Sequence, residues 1–285
     1  MPALSAALFV NFLAACHGGR GEPTSVASAE SVELGAARWL EVGRSFQGRP
    51  IVATTVGHGP RHALIICGIH GNEPEGLAAA EPLIDIARSA SATWTTTIVR
   101  DLNPDGSASR TRGNARGVDL NRNWPAANYT LRAARDGRQL HGESPLSEPE
   151  TRAGFDLIER VRPELCIVFH ASRTGPFINF DGPAAAFADS FARAASAVGR
   201  AWRVRPSMGY PTPGSLGSLL GVDGRVAILT VEFELGDSSR PVREAIAGVA
   251  AVLCDGGEAH PKRKVEAATG TPSKRGDRRT GQAGL

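Results

Sequence analysis

Cysteine is scarce in this chain. Its four copies, Cys16, Cys67, Cys166 and Cys254, show no C-x-x-C spacing, which excludes a thiolate metal cage and a disulfide-dense scaffold. Cys67 and Cys166 lie inside apolar runs and read as buried free thiols, with a disulfide as the alternative. No hydrophobic run is long enough for an ordinary membrane span: the N-terminal one, Ala3 to Ala15, is too short. No internal repeat is apparent. Charge is not in excess either. Charged residues make up 21% of the chain, ordinary for a soluble protein, and the net charge is +3. From Pro261 onward seven basic residues face two acids, so this tail carries +5 and the rest of the chain −2. The pI of about 8.9 is therefore a property of the tail, and the body does not read as a nucleic-acid binder. What remains is 285 residues, 41% hydrophobic, which suits one large α/β domain with tails.

The two ends stand apart in composition. Residues 1–16 have the length and small-residue ending of a signal-peptide core, and Leu13-Ala14-Ala15-Cys16 resembles a bacterial lipoprotein box with Cys16 as the lipidated residue. Residues 17–30 then read as a flexible linker, and 31–255 as one folded domain. Residues 256–285, rich in Gly, Thr, Ser and basic residues, read as a disordered tail. The expected location is the cell envelope, in the periplasm or anchored to the membrane through Cys16. No Lys or Arg precedes the apolar run, so a cytoplasmic protein with an unusual leader is the alternative.

Between these ends, short buried-type runs alternate with helical stretches. HALIICGIH, TTTIVRDLNPDG, PELCIVFH and RVAILTVEFEL read as strands, the second closing on an Asn-Pro-Asp-Gly turn. EPEGLAAAEPLIDIARSA reads as a helix capped by Asn72, and SEPETRAGFDLIERV as one opened by a Ser147/Glu150 capping box. AAAFADSFARAASAVGRAW and SRPVREAIAGVAAVLCD complete the helices. This alternation predicts an α/β fold: a mixed, largely parallel sheet with helices on both faces. Three buried runs end in or near an ionisable residue, at His70, His170 and Glu232. In open parallel sheets ligands bind beyond the carboxyl ends of the strands, so the three point to one crevice.

His70, Glu73 and His170 have the donor types of a catalytic zinc site, two nitrogens and one carboxylate with a fourth position open. H-x-x-E alone is a weak signal, since the pair recurs by chance. RGNARGVDLNRNWP adds Asp119, Asn121, Arg122 and Asn123 in a short space, and an arginine beside an asparagine can grip a carboxylate with a fork plus an amide hydrogen bond.

At this point the chain resembles the zinc carboxypeptidases of the carboxypeptidase A type, and among them the compact bacterial murein peptide amidases. GRSFQGRPI, GIHGNEPEG, NPDG, GVDLNRNWP, SEPET, VFHAS, GYPTPGSLGS and TVEF carry the resemblance, in order, from about Glu41 to Leu253. It implies a single catalytic domain holding one Zn²⁺ per chain through His70, Glu73 and His170, with Asp119 orienting the first zinc histidine. It also implies that Glu232 is the proton carrier, that Arg112 stabilises the oxyanion, and that Asn121 and Arg122 bind the substrate's terminal carboxylate. Glu234 is the alternative base, because a pancreatic-type alignment of FEL would select it. Tyr210 falls one residue out of step with the family's mobile tyrosine and reads as a pocket wall or a loop aromatic. The implied partner is a peptide with a free C-terminal carboxylate, a murein tripeptide cut between the side chain of D-Glu and diaminopimelate. Asp181, with Asn179 near it, would meet the distal ammonium, or is a turn former. Three other functions stand beside this one: a broader carboxypeptidase, a catalytically dead peptide-binding module, and an acylamino-acid deacylase of related fold.

Overall fold

A computed structural model describes residues 37–132 and 140–255. The signal, lipidation, linker and tail expectations for residues 1–30 and 256–285 lie outside the described residues. Among the described residues no helix is long and apolar enough to cross a membrane.

Eight strands form one sheet: β1 (Leu40–Arg44), β2 (Pro50–Val56), β3 (Arg61–Ile66), β4 (Trp94–Val99), β5 (Leu165–Ser172), β6 (Phe177–Asp181), β7 (Arg203–Arg205) and β8 (Ala227–Glu234). Their order across the sheet is β1-β2-β4-β3-β5-β8-β6-β7. The central four run parallel, while β2 joins β4, and β6 joins β8, antiparallel. The helices are α1 (Leu83–Ser89), α2 (Pro104–Ser109), α3 (Pro149–Val161), α4 (Ala185–Val198) and α5 (Pro241–Asp255).

Side-chain alternation divides the central strands between two cores. Ala63, Ile65, Ile167, Phe169, Leu229 and Val231 pack under α1, α4 and α5. Leu64, Ile66, Cys166, Val168 and Ile228 pack under α3 and the segment around Leu216 and Leu220. A strand stretch buried on both faces favours an unbroken apolar run, as in Ala63–Ile66, Leu165–Phe169 and Ala227–Leu229. Cys67 and Cys166 are buried free thiols, and burial pushes both above the ordinary thiol range.

Four local expectations are corrected. The helix over residues 73–90 is split into a 3-10 segment, Pro74–Ala79, and α1, because Pro82 has no N–H with which to continue it. The cap of the first piece is Glu73, not Asn72, and its side chain makes no capping bond. Asn-Pro-Asp-Gly opens α2 rather than a simple turn, with the Asn103 side chain accepting from the Gly106 N–H at 3.0 Å. The Ser147 capping box does not form: Glu148 is the cap of α3, Ser147 Oγ donates to Glu148 Oε1 at 2.7 Å, and Glu150 accepts instead from the Phe46 N–H at 2.9 Å.

β3 ends at Ile66, so the strand itself stops short of His70. The following turn is packed against α2 so closely that a Cβ on Gly71 would overlap the Gly106 carbonyl. Gly71→Ala must therefore displace the backbone between His70 and Glu73. It should cost about 1–3 kcal/mol in a denaturant titration, together with a loss of metal retention out of proportion to that change.

Candidate active site

Three elements bring the candidate ligands together. The turn after β3 carries His70 and Glu73, and is closed by the Glu73 N–H donating to the His70 carbonyl at 3.1 Å. β5 carries His170, which stands directly across from Glu232 on the neighbouring parallel strand β8. His170 and Glu232 share the strand face of Val168 and Thr230, so both look away from the α4 and α5 side. His70, Glu73, His170 and Glu232 are all buried.

The donor atoms form a small triangle. His70 Nδ1 lies 3.0 Å from Glu73 Oε1, His170 Nδ1 lies 3.0 Å from Glu73 Oε2, and the two Nδ1 atoms are 3.1 Å apart. Three donors about 2.0–2.1 Å from a tetrahedral zinc are about 3.3 Å from one another, so the triangle is close to the right size. Among the described residues, His70, Glu73 and His170 are the one His/Cys/Asp/Glu group so clustered. Two imidazoles and a carboxylate are also the chemistry of a catalytic zinc site, and the residues fit that ion.

The outer contacts orient these groups. His70 Nε2 meets Asp119 Oδ1 at 3.0 Å, leaving Nδ1 for the triangle. Asp119 is itself the cap of the 3-10 turn Leu120–Arg122, accepting from the Asn121 N–H at 2.9 Å. Arg112 donates from Nε to Asp119 at 2.9 Å and from Nη1 to Glu73 at 2.8 Å. Burial alone would raise both carboxyls. The His70 contact, joined by His170 at Glu73 and Arg112 at Asp119, outweighs it and holds both below the ordinary carboxylate range. At Glu232 burial outweighs the opposing His170, His70 and Arg112 charges, and with Glu73 adding to the rise it leaves the carboxyl above that range.

The pocket that opens over the triangle contains nine of the ten residues derived from the sequence: His70, Glu73, Arg112, Asn121, Arg122, His170, Asp181, Tyr210 and Glu232. The tenth, Asp119, stands behind His70. Glu234 is turned elsewhere, paired with Arg200 at 2.5 Å and Arg240 at 3.7 Å. Among the described residues, the guanidinium of Arg122 makes one hydrogen bond, to the carbonyl of Asn121 at 2.6 Å. The amide of Asn121 is already engaged at both ends, accepting from the Leu216 N–H at 2.9 Å and facing His170 Nε2 at 3.3 Å. Tyr210 is 56% exposed and stands at the rim. Arg205, Ser215 and Thr230 also line the pocket and were not among the sequence-derived residues. Thr230 was within reach of strand alternation, two places before Glu232. Arg205, on a three-residue edge strand, carries no local signal.

Comparison with known proteins agrees with this geometry. The family model described as zinc carboxypeptidase matches residues 35–197, more than half of the chain. Murein peptide amidase A of Escherichia coli (strain K12) is 33% identical over 207 residues, covering 67% of this chain and 79% of that protein. The crystal structure of murein-tripeptide amidase MpaA from Escherichia coli O157 superposes with a TM-score of 0.57 at 29% identity, covering 84% of this chain and 100% of that one. Carboxypeptidase A from Helicoverpa armigera shares the fold, with a TM-score of 0.65 at 19% identity over 77% of this chain and 69% of that one. The matched residues, the buried donor triangle and these relatives lead to one conclusion: the chain belongs to the zinc carboxypeptidase family and is a hydrolase.

Proposed function

We propose that this chain removes a free C-terminal residue by amide hydrolysis, with one zinc per chain, and that its substrate is the γ-D-glutamyl–meso-diaminopimelate bond of murein peptides. The observation that carries the reading is the presence, in one pocket, of the donor triangle, a carboxylate outside it and a guanidinium without a carboxylate in bonding contact. Among the described residues Glu232 has no hydrogen bond or ion pair, and Arg122 has no carboxylate partner. The relatives named as murein peptide amidases support the choice of substrate.

Zinc held by His70, Glu73 and His170 supplies Lewis acidity, which polarises the scissile carbonyl and acidifies water. Arg122 takes the terminal carboxylate and so fixes the distance from the chain end to the bond that is cut. Glu232, raised by burial, accepts a proton from the attacking water and returns it to the leaving amine as the C–N bond breaks. Arg112 has a second terminal nitrogen free of Glu73 and Asp119, which donates to the carbonyl oxygen as charge collects there. Asp119 holds the His70 ring in the orientation that aims Nδ1 inward. The reading extends to the cell envelope, with the enzyme anchored through a lipidated Cys16. Support for that comes from Leu13-Ala14-Ala15-Cys16 alone, and fractionation of Cys16→Ser tests it.

Zinc content after dialysis should fall from about one per chain to near zero in His170→Ala, while the far-ultraviolet circular dichroism of the sheet persists. Glu232→Gln should keep its zinc and lose about 10²–10⁴-fold in kcat on a murein tripeptide, whereas Glu234→Gln should remain near wild type. Reversal of that order would make Glu234 the base. Amidating the substrate's terminus should lower kcat/KM as much as Arg122→Ala does, and the two changes together should add little. Cleavage of a hydrophobic C-terminal dipeptide in preference to the tripeptide would point to a broader carboxypeptidase.

A further inference from the structure

Asn103 is wholly buried and lies outside both the donor triangle and the pocket lining. All its polar atoms are nevertheless engaged. Its N–H donates to the Gly68 carbonyl and to Asp101 Oδ1, both at 3.0 Å, and its carbonyl accepts from the Ser107 N–H at 2.9 Å. Oδ1 accepts from the Gly106 N–H at 3.0 Å, which fixes the oxygen end of the amide. Nδ2 therefore faces two carbonyls, those of Ile69 and Arg112, each at 3.4 Å. Its two hydrogens answer both.

A peptide plane is rigid, so a held carbonyl restrains the Cα atoms on either side of it. The Ile69 carbonyl belongs to the plane that ends at His70. The Arg112 carbonyl belongs to the plane that leaves Arg112, whose side chain reaches Glu73 at 2.8 Å and Asp119 at 2.9 Å. One amide nitrogen thus spans the metal-binding turn and the segment of the arginine that crosses it. Little slack surrounds it. A Cβ on Gly106 would run into Nδ2, and α2, which carries Gly106, is pinned from outside where Ser45 Oγ and the Gln47 N–H donate to Asp105 at 2.8 Å.

Capping α2 calls only for an oxygen, and aspartate or serine caps a helix as well as asparagine does. The amide nitrogen is what those two lack, and it is the part turned toward the site. Both of its bonds are long, so each is weak by itself; their weight lies in one group holding two segments. We propose that Asn103 is a positioning residue, whose amide nitrogen sets the spacing between His70 and Arg112. The kinetic part of this inference rests on the amidase reading above; the metal-binding part does not.

The test compares Asn103→Asp and Asn103→Ser, which keep a capping oxygen and differ in charge, with Trp94→Phe. Trp94 opens β4 at the end of the sheet away from the site, and its substitution removes the Nε1 bond to the Leu253 carbonyl at 3.0 Å. All three should lower the denaturant midpoint of the zinc-free protein, as loss of a buried hydrogen bond does. Zinc affinity, read by competition with a chelator, should weaken by about 10- to 100-fold in both Asn103 variants and stay at wild type in Trp94→Phe. With zinc saturating, kcat on L-Ala-γ-D-Glu-meso-diaminopimelate should fall by about 10-fold in both, with KM within about twofold, because Arg122 is held by other groups. In an Arg112→Ala background the same substitutions should take little further from kcat. Wild-type zinc affinity in both Asn103 variants, with stability lost as in Trp94→Phe, would reduce Asn103 to a helix cap and overturn the inference. A kcat loss that persists in full without Arg112 would overturn it too. A wild type that leaves the tripeptide uncut would overturn the amidase reading, and zinc affinity alone would then decide the role of Asn103.

Discussion

The two oxygens of Glu73 hold the site together. Oε1 meets His70 Nδ1 and Arg112 Nη1, and Oε2 meets His170 Nδ1 and the N–H of Ala171. A buried carboxylate is tolerable only when its lone pairs are answered, and here the answers come from the turn after β3, the segment before Leu120 and strand β5. Removing a partner from such a buried ionic group leaves a deficit of about 3–5 kcal/mol. The elements that converge on Glu73 are thereby held in one arrangement, and that arrangement is the one that puts both imidazole Nδ1 atoms on a common point.

Behind that centre, backbone polarity is settled by side chains rather than by sheet or helix. Asn123 donates to the carbonyls of His141 and Ser144 and accepts from Glu148 N–H and Thr151 Oγ1. Asn114 donates to both Glu148 and Glu150. These amides lock the irregular stretch around Arg122 to the start of α3. Arg122 is therefore held at the end of its 3-10 turn, although among the described residues its guanidinium bonds to the carbonyl of its neighbour alone. A rigid frame with an under-satisfied guanidinium at its edge is what a carboxylate receptor requires.

The sheet register does the corresponding work for the pocket. Because β6 runs antiparallel to β8 and β7 runs parallel to β6, one face of three strands forms a polar floor next to Glu232. Shifting any of these strands by one residue would turn Asn179, Thr230 and Arg205 out of the pocket and apolar neighbours into it. The pocket floor and the position of Glu232 thus depend on the same ladder.

The sequence by itself determined the alternation of buried strands and helices, and the candidate ligands. Those signals are local: a β-branched run must be buried, and H-x-x-E, VFH and TVEF carry their own spacing. It also marked Glu232 and Glu234 as competitors, but strand alternation puts both on one face and could not separate them. In the tertiary structure their surroundings differ: Glu234 pairs with Arg200, while among the described residues Glu232 makes no ion pair. Tertiary packing likewise decided the broken helix after Glu73, where Pro82 prevails over the apolar pattern, and the cap of α3, where Phe46 claims the Glu150 carboxylate from far away in sequence. Arg205 shows the limit most plainly. Its place in the pocket follows from pairing with Asn179 and stacking on Phe177, contacts between segments far apart along the chain, and nothing in the residues around it announces them.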